Sequence, residues 1–262
     1  RALKQLADTT GALAAWTEAC SLAPDASARL ASLLEVQHLQ LNKPSRLATL
    51  AEIETECAGL YILCKETDQG VSKLIPLEVF EPETSPVWKV EANRWAKWAR
   101  IDHHHSQGEL ELELASLYEL LGGAGGEDLP GGDAREVALR QLDQLLEEPG
   151  NRALLQPYEE LAAGLLEEVG ELGPESIQAV LYRFPRTEAA TRASDQLLER
   201  TIIAGDVPMA ANLVLDLLPE SFSLGSGDPL HSSRVVALGL ALRESGNESY
   251  LRGVLRRLSE VR

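Results

Sequence analysis

Residues 133–148 read DAREVALRQLDQLLEE, and this stretch decides the fold class because it begins as a capped helix should. Asp133 is predicted to be the N-cap, and Glu136 follows at the third helical position, as in a capping box. Further segments of helical pattern follow, over 151–169, 174–184, 187–204, 206–218, 231–245 and 247–260. Most links between them are two to four residues long, which favours antiparallel neighbours, so we predict stacked helix pairs over 133–262.

The N-terminal part of the chain predicts three more helices. The first covers 1–22 with a break at Thr9–Gly11, the second runs over 26–41, and the third over 45–66. The third carries an apolar stripe with steps of three and four residues, formed by Leu47, Leu50, Ile53, Cys57, Leu60 and Cys64. Aromatic residues make up only 5% of the chain, which favours helices over a large sheet.

A different pattern interrupts the helices around 70–105. Leu74–Phe80 is a short apolar run broken by proline, which predicts an extended segment or an edge strand. Helical spacing resumes over Val87–Ile101, and a second irregular stretch is predicted at Asp102–His105. Glu and Leu alternate over Glu109–Leu114 as in a strand, but the leucines continue at helical steps, so we predict a helix there.

These features predict an all-α fold in four parts. Residues 1–69 form N-terminal helical hairpins, and 70–108 form an irregular, partly extended insertion that contains tryptophan and histidine. Residues 109–132 form a helix and a glycine-rich linker, and 133–262 form the helical array.

Three windows share a glycine, then a small residue, then in two cases a proline. They read GALAAWTEACSLAP from Gly11, GDVPMAANLVLDLLP from Gly205 and GNESYLRGVLRRL from Gly246. Glycine allows a tight turn between two helices, and proline stops the second helix. The windows resemble the second helix of a tetratricopeptide repeat (TPR), although most aromatic positions of its consensus are absent. That resemblance implies an α-solenoid of TPR-like antiparallel helix pairs.

A second resemblance covers residues 156–218. The stretch SIQAVLYRFPRTEAA, from Ser176 to Ala190, is similar to the helical-repeat region of planctomycete-type bacterial proteins. In those proteins such a turn precedes a TPR-like pair, often beside a PQQ-like β-propeller, which is not predicted in these residues. The resemblance implies scaffolding and transfers no catalytic residue. In the turn itself, Phe184 is predicted to fold back onto the apolar face, and Thr187 to cap the next helix.

The net charge is −17, and most of it lies in the middle of the chain. Residues 107–176 hold 17 acidic and 3 basic residues, a net of −14, whereas 177–262 hold 10 of each. An acidic surface repels phosphates, so the composition argues against nucleic-acid binding. The 107–176 region fits docking of a basic partner, and a solvated polar face gives the same composition.

The three cysteines, Cys20, Cys57 and Cys64, predict reduced, buried thiols. On one helix, Cys57 and Cys64 would lie two turns, roughly 10 Å, apart, which is too far for a disulfide. No apolar run approaches the roughly 20 residues that span a bilayer, so no membrane span is predicted. The chain opens at Arg1 without Met, so we leave open a cytoplasmic protein or an exported bacterial protein whose signal was removed.

The tryptophans supply the predicted partner-binding residues. Trp88, Trp95 and Trp98 would share one face if their segment is a single helix, and Arg94 lies among them. Tryptophan and arginine are enriched at binding hot spots, so this face is our first choice for docking. The alternative is that the tryptophans pack against the segment Leu74–Phe80.

Polar clusters in the sequence do not predict catalysis. His103, His104 and His105 are consecutive and point in different directions, so we predict a solvated loop without metal or cofactor. The alternative is a metal site that uses His103 and His105 with Asp102, His38 or His231 as a further ligand. Adjacent glutamates such as Glu147-Glu148 diverge by about 100° on a helix, so they make poor acid/base dyads.

We therefore expect a non-catalytic protein–protein interaction scaffold or a structural adaptor subunit of a larger bacterial assembly. One alternative is an enzyme or ligand-binding protein with a pocket near Trp88–His105. Another is the helical part of a longer multidomain protein. The exposure of Trp95 and Trp98 discriminates between these readings, because burial of both would exclude docking on that face.

Overall fold

The structure is a computed structural model in which two compact units are separated at Leu154 and Leu155. The residues that it describes are 9–65, 73–76, 87–123, 128–129, 132–169 and 174–206, with 209–210, 239–240, 242–243, 246, 251–252 and 256. Most of these residues are helical, which confirms the prediction of a mostly helical chain. Among them, no helix is both long enough and apolar enough to cross a membrane.

The first unit contains a succession of helices, each of which packs against the next. They are α1 (Thr9–Ser21), α2 (Ala26–Leu39), α3 (Ser45–Glu56), α4 (Ala92–Gln107), α5 (Leu110–Gly123) and α6 (Ala134–Glu147). Large side chains with less than 2% of their surface exposed fill the centre, among them Leu30, Leu50, Ile53, Ile101, Leu114, Leu117 and Leu142. Burial of these apolar side chains is the main force that holds the helices together.

Local capping explains where two of these helices begin. Asp25 accepts a hydrogen bond from the Ala28 amide at 2.8 Å and starts α2. The Asp133 carboxylate accepts from the amides of Arg135 and Glu136, at 2.8 and 3.3 Å, so the predicted N-cap of α6 is confirmed. Thr9, Thr10 and Gly11, where a break is predicted, are helical and belong to α1, while residues 1–8 lie outside the described part.

The third predicted helix is too long. Helix α3 ends at Glu56, and Gly59 has a φ of 80°, a left-handed conformation that a helix cannot continue through. The chain then forms strand β1, Tyr61–Lys65. The steps Cys57, Leu60 and Cys64 suit a helix, but Ile62-Leu63-Cys64 is a continuous apolar run, which is typical of a strand buried on both faces.

Strand β1 is the centre of a three-stranded antiparallel sheet. Strand β2 (Lys73–Pro76) lies on one side and strand β3 (Val87–Glu91) on the other. Ile62 pairs with Val90, and both are buried, with 0% and 1% of their surface exposed. Strand β2 confirms the predicted extended segment for 74–76, and it lies at the edge of the sheet that the described residues form, while residues 77–86 lie outside the described part.

The predicted helix over Val87–Ile101 is confirmed from Ala92 onwards and wrong before it, and the irregular stretch predicted at Asp102–His105 is wrong. Residues up to Glu91 form β3, and one helix then runs to Gln107. No proline or glycine interrupts residues 92–107, so the helix continues until Gly108, whose φ of 70° caps it. The described residues of the insertion therefore hold strands β2 and β3 and a regular helix. In the region predicted as a linker, the described residues hold the end of α5 and a pairing of strands β4 (Asp128–Leu129) and β5 (Gly132–Asp133).

The described part of the second unit includes three helices that pack against one another. They are α7 (Gln156–Val169), α8 (Pro174–Arg183) and α9 (Glu188–Ile203). Residues 149–155 form a 3₁₀ segment, so the α-helix predicted from 151 begins at Gln156. The later predicted helices, over 206–218, 231–245 and 247–260, lie mostly outside the described residues. Within them, residues 209–210, 239–240, 242–243, 251–252 and 256 are helical.

The turn between α8 and α9 has the predicted construction. Phe184 is buried, and the Thr187 hydroxyl accepts from the Ala190 amide at 3.0 Å while donating to the Phe184 carbonyl at 2.7 Å. The Glu159 carboxylate, on α7, also accepts from the Glu188 amide at 2.8 and 2.9 Å. A carboxylate at the positive end of α9 is favourable, so α7 helps to fix where α9 begins.

Replacing Thr187 with alanine should lower the free energy of unfolding of the second unit by about 1–2 kcal/mol, because the cap and a buried hydrogen bond are lost together. Thr187→Ser keeps the hydroxyl and serves as the control, with an expected loss of less than about 1 kcal/mol. Urea unfolding followed by circular dichroism measures both. Equal losses in the two variants would show that the methyl group, and not the cap, stabilises the turn.

The three cysteines are free and buried, as predicted. Burial raises the pKa of the Cys64 thiol to about 12, and it also raises the pKa of Cys20 and of Cys57. The assumption that Cys57 and Cys64 share a helix is wrong, because Cys57 caps the end of α3 and Cys64 lies on β1. These thiols serve as core residues.

Candidate functional site

The three tryptophans of the predicted docking face do not lie on one helix. Trp88 lies on strand β3, where its backbone pairs with Cys64, and its side chain lies outside the described part. Trp95 and Trp98 lie on α4. Trp95 is buried, with 6% of its surface exposed, whereas Trp98 is half-buried. The three therefore do not line up on one helix, and of the two on α4 Trp98 offers more of its surface to a partner.

The basic residues of α4 are occupied by contacts within the first unit. Lys97 Nζ lies 3.7 Å from Glu54 and 3.5 Å from Glu119, and Arg100 Nη2 lies 3.1 and 3.3 Å from the same two carboxylates. Because Glu54 is on α3 and Glu119 on α5, this network ties three helices together. Arg94 Nη2 donates to the Gly123 carbonyl at 3.5 Å, which joins α4 to the end of α5.

The three histidines lie on α4 and have different surroundings. His103 and His104 are buried, while the side chain of His105 is 67% exposed. His104 Nδ1 lies 2.8 Å from Glu109 Oε2, and the rings of His103 and His104 meet edge to face at 5.9 Å. No group of three metal-ligating side chains comes together among the described residues, and His231, a possible third ligand, lies outside them.

A buried carboxylate joins α4, α5 and α6. Glu113, on α5, has 0% of its surface exposed. His105 Nδ1 lies 3.1 Å from Glu113 Oε1, and Gln141 Nε2 on α6 donates to the same oxygen at 3.0 Å. A carboxylate can only accept, so the geometry places the His105 proton on Nδ1 when Glu113 is ionised. The contact offsets the cost of burying a charge.

A second buried polar group lies where α2, α3 and α4 meet. Arg46, in the first turn of α3, is only 4% exposed, and its Nε donates to Gln37 Oε1 at 3.2 Å. Its Nη1 lies 3.8 Å from the exposed carboxylate of Asp102 on α4. Burial lowers the pKa of Arg46, and the charge of Asp102 opposes that shift. Thr49 donates to Gln40 at 2.8 Å and continues the contact between α2 and α3.

The sequence pattern does not predict this buried group. Gln37, Arg46 and Thr49 are polar residues of types that usually lie on the surface. One signal was present: Arg46 stands in the first turn of a helix, where a positive charge is disfavoured by the helix dipole. Residues that break such a local rule often have a special role, which here is the contact with Gln37 and Asp102.

Acid should destabilise the first unit through His103. Burial lowers the pKa of His103 below its ordinary 6.5, and the charge of Arg46 lowers it further, while a hydrogen bond with the backbone of Leu41 opposes the shift. The unfolded chain then binds the proton more readily, so the stabilisation is present above about pH 6.5 and is lost as the pH falls towards the folded pKa. Urea unfolding at pH 8 and at pH 5 measures this. In His103→Gln the difference between the two pH values should shrink, and an unchanged difference would exclude His103 as its source.

Fold and site together define a mostly helical protein of two compact units. In the first unit, the charged residues and histidines described above mainly connect one helix to another. Comparison with known proteins finds no matching family model, no similar curated protein and no similar solved structure. The resemblance to TPR-like and planctomycete-type repeats therefore stays a prediction from the residues.

Proposed function

We propose that the protein is a non-catalytic scaffold that holds other protein chains, built as an α-solenoid of TPR-like helix pairs. The observation that carries this proposal is the packing of the first unit, in which each helix from α1 to α6 contacts the next. Such nearest-neighbour stacking is how helical-repeat proteins present an extended surface to a partner. The engagement of Lys97, Arg100 and Glu113 in helix–helix contacts supports a structural role for these residues over a catalytic one.

A basic partner fits the charge of this scaffold. Exposed glutamates recur along α5, α6 and α7: Glu111, Glu119, Glu136, Glu147, Glu160, Glu167 and Glu168. Of these, only Glu119 forms an ion pair with lysine or arginine within the described part of the chain. Complementary charge increases the rate of association and disfavours wrong partners, so the acidic region suits recognition of a basic protein.

A ligand-binding function is the alternative that one observation favours. Buried Arg46 pairs only loosely with Asp102, at 3.8 Å between Nη1 and Oδ2. A small carboxylate or phosphate would pair with the Arg46 guanidinium more closely. Thermal unfolding with and without citrate or phosphate tests this alternative, since a ligand that binds only the folded state raises the Tm. An Arg46→Met variant should lose any such shift.

Native mass measurement of the protein isolated gently from its source cells tests the scaffold proposal. We expect to find it in a complex with at least one other chain. The complex should weaken as the salt concentration rises, because salt screens the attraction between the acidic scaffold and a basic partner. A stable, solitary monomer at low salt would contradict the proposal. The same preparation assayed after a high-salt wash shows whether any complex depends on charge.

A further inference from the structure

Helix α7 presents one exposed face of unusual composition. Pro157, Glu160, Leu161, Gly164, Glu167 and Glu168 are all exposed and recur at steps of one, three and four residues. These steps place them within about one third of the helix circumference. The opposite face carries Ala162 and Leu166, which are buried at 0% and 5% exposure. The α7 face, defined by those six residues, is therefore the side of the helix that its own unit leaves open.

The centre of the α7 face is apolar. Leu161 has 58% of its surface exposed, which is a large fraction for a leucine on a packed helix. Gly164 lies one turn further along, and nothing comes within 4 Å of the position that its Cβ would occupy. A glycine in the middle of a helix costs stability, but it allows another backbone to approach closely. Together, Leu161 and Gly164 form a knob and an adjoining gap.

The rim of the α7 face is acidic, and its charges stand at the wrong end of the helix for stability. Helix α7 contains four glutamates and no basic residue. Glu159 caps α9 and Glu160 accepts from Gln156, but Glu167 and Glu168 lie in the last turn, where the helix dipole is negative. Neither of the last two forms an ion pair with a described residue. Positive charge brought by a partner would relieve this repulsion.

We propose that the α7 face binds an amphipathic helix of a partner protein, with lysine or arginine residues on both sides of an apolar stripe. Leu161 inserts into the apolar stripe, and Gly164 lets the partner helix approach. Glu160, Glu167 and Glu168 meet the basic residues. The inference rests on the proposed scaffold function and names the surface that carries it. When an amphipathic helix binds an apolar surface, its anchoring side chains recur at such spacings.

Helix α6 offers a matched control. It also ends in adjacent, exposed glutamates, Glu147 and Glu148, without a basic residue in its last turn. Its exposed positions include Arg140 and no large apolar side chain among those described. Glu147→Lys with Glu148→Lys therefore changes the net charge as much as Glu167→Lys with Glu168→Lys does, but without touching the α7 face.

The test uses the whole chain and a fluorescent synthetic peptide of leucine and lysine, about 18 residues or five helical turns long, with leucine at helical spacing. Anisotropy at about 0.15 M salt, where long-range attraction is screened, gives the Kd. We expect Leu161→Glu and the pair Glu167→Lys with Glu168→Lys each to weaken binding about tenfold or more. The α6 control pair should stay within about threefold, and a scrambled peptide without the stripe should bind about tenfold more weakly.

Any of three results would overturn the inference. The Leu161→Glu variant could bind the peptide as tightly as the unchanged protein does, or the α6 pair could weaken binding as much as the α7 pair. The scrambled peptide could also bind as tightly as the peptide with the leucine stripe. Circular dichroism confirms that the variants fold, as expected for exposed positions. The failure of the scaffold proposal looks different. A solitary monomer in native mass measurement contradicts the scaffold, whereas a native complex that survives the α7 pair keeps the scaffold and overturns only this surface.

Discussion

Replacing Trp95 with alanine is expected to lower the free energy of unfolding of the first unit by about 3–5 kcal/mol. Trp95 is only 6% exposed, and α4, which carries it, packs against both α3 and α5. Removing a buried indole loses its transfer energy and leaves a cavity that close-packed neighbours fill only in part. Denaturant unfolding followed by circular dichroism measures the loss, and the change in the midpoint should come without a change in the slope.

Trp98→Ala is the matched control, because Trp98 lies on the same helix and is half-buried. This variant should lose less free energy of unfolding, less than about 2 kcal/mol, because folding buries less of the apolar area of Trp98. If Trp95→Ala costs no more than Trp98→Ala, Trp95 is not a core residue. A weaker native complex for Trp98→Ala with normal stability would identify Trp98 as a docking residue, the role predicted for it from its type.

The features that the sequence predicted well depend on local chemistry. Asp133 and Thr187 cap their helices as expected because an N-cap bonds to an amide two or three residues away, and such a contact is written in adjacent residues. The turn at Phe184 follows for the same reason. Proline and glycine also end helices through their own backbone preferences.

The sheet could not be predicted in the same way. Strand β1 is paired with β2 and with β3, which begins some twenty residues later, and that pairing decides between helix and strand for Cys57–Cys64. Steps of three and four fit a helix, and a short apolar run fits a central strand, so periodicity alone does not separate them. Because the sequence pattern does not reveal β3, it predicts that the tryptophans share one helix face. In the fold, Trp88 lies on a strand, and Trp95 and Trp98 lie on a helix.

The buried polar contacts were the least predictable part of the site. Glu111 is exposed and Glu113 is buried, although both belong to the same alternation of glutamate and leucine. The difference arises from Gln141, 28 residues further along, and from His105 on the preceding helix. The histidine run attracted attention as chemistry, yet the described contacts of His104 and His105 connect α4 to the start of α5.

Removing His105, the exposed partner of Glu113, should lower the free energy of unfolding more than removing the buried carboxylate of Glu113 itself. In His105→Ala, Glu113 stays buried with Gln141 as its remaining hydrogen-bond partner, and we expect a loss of about 2 kcal/mol, as for a charged acceptor left under-satisfied. Glu113→Leu should cost less than about 1 kcal/mol, because an apolar side chain of similar volume often replaces a buried charge without loss. His105 is 67% exposed, so in that variant its ring reaches water.

The double variant His105→Ala with Glu113→Leu decides the interpretation. With no buried carboxylate left to satisfy, the histidine should matter little, and the double variant should be about as stable as Glu113→Leu alone. That non-additivity, about 1–2 kcal/mol in a thermodynamic cycle from urea unfolding, would measure the coupling between the two side chains. Additive losses would instead mean that His105 stabilises the C-terminal end of α4 through the helix dipole, independently of the carboxylate that it faces.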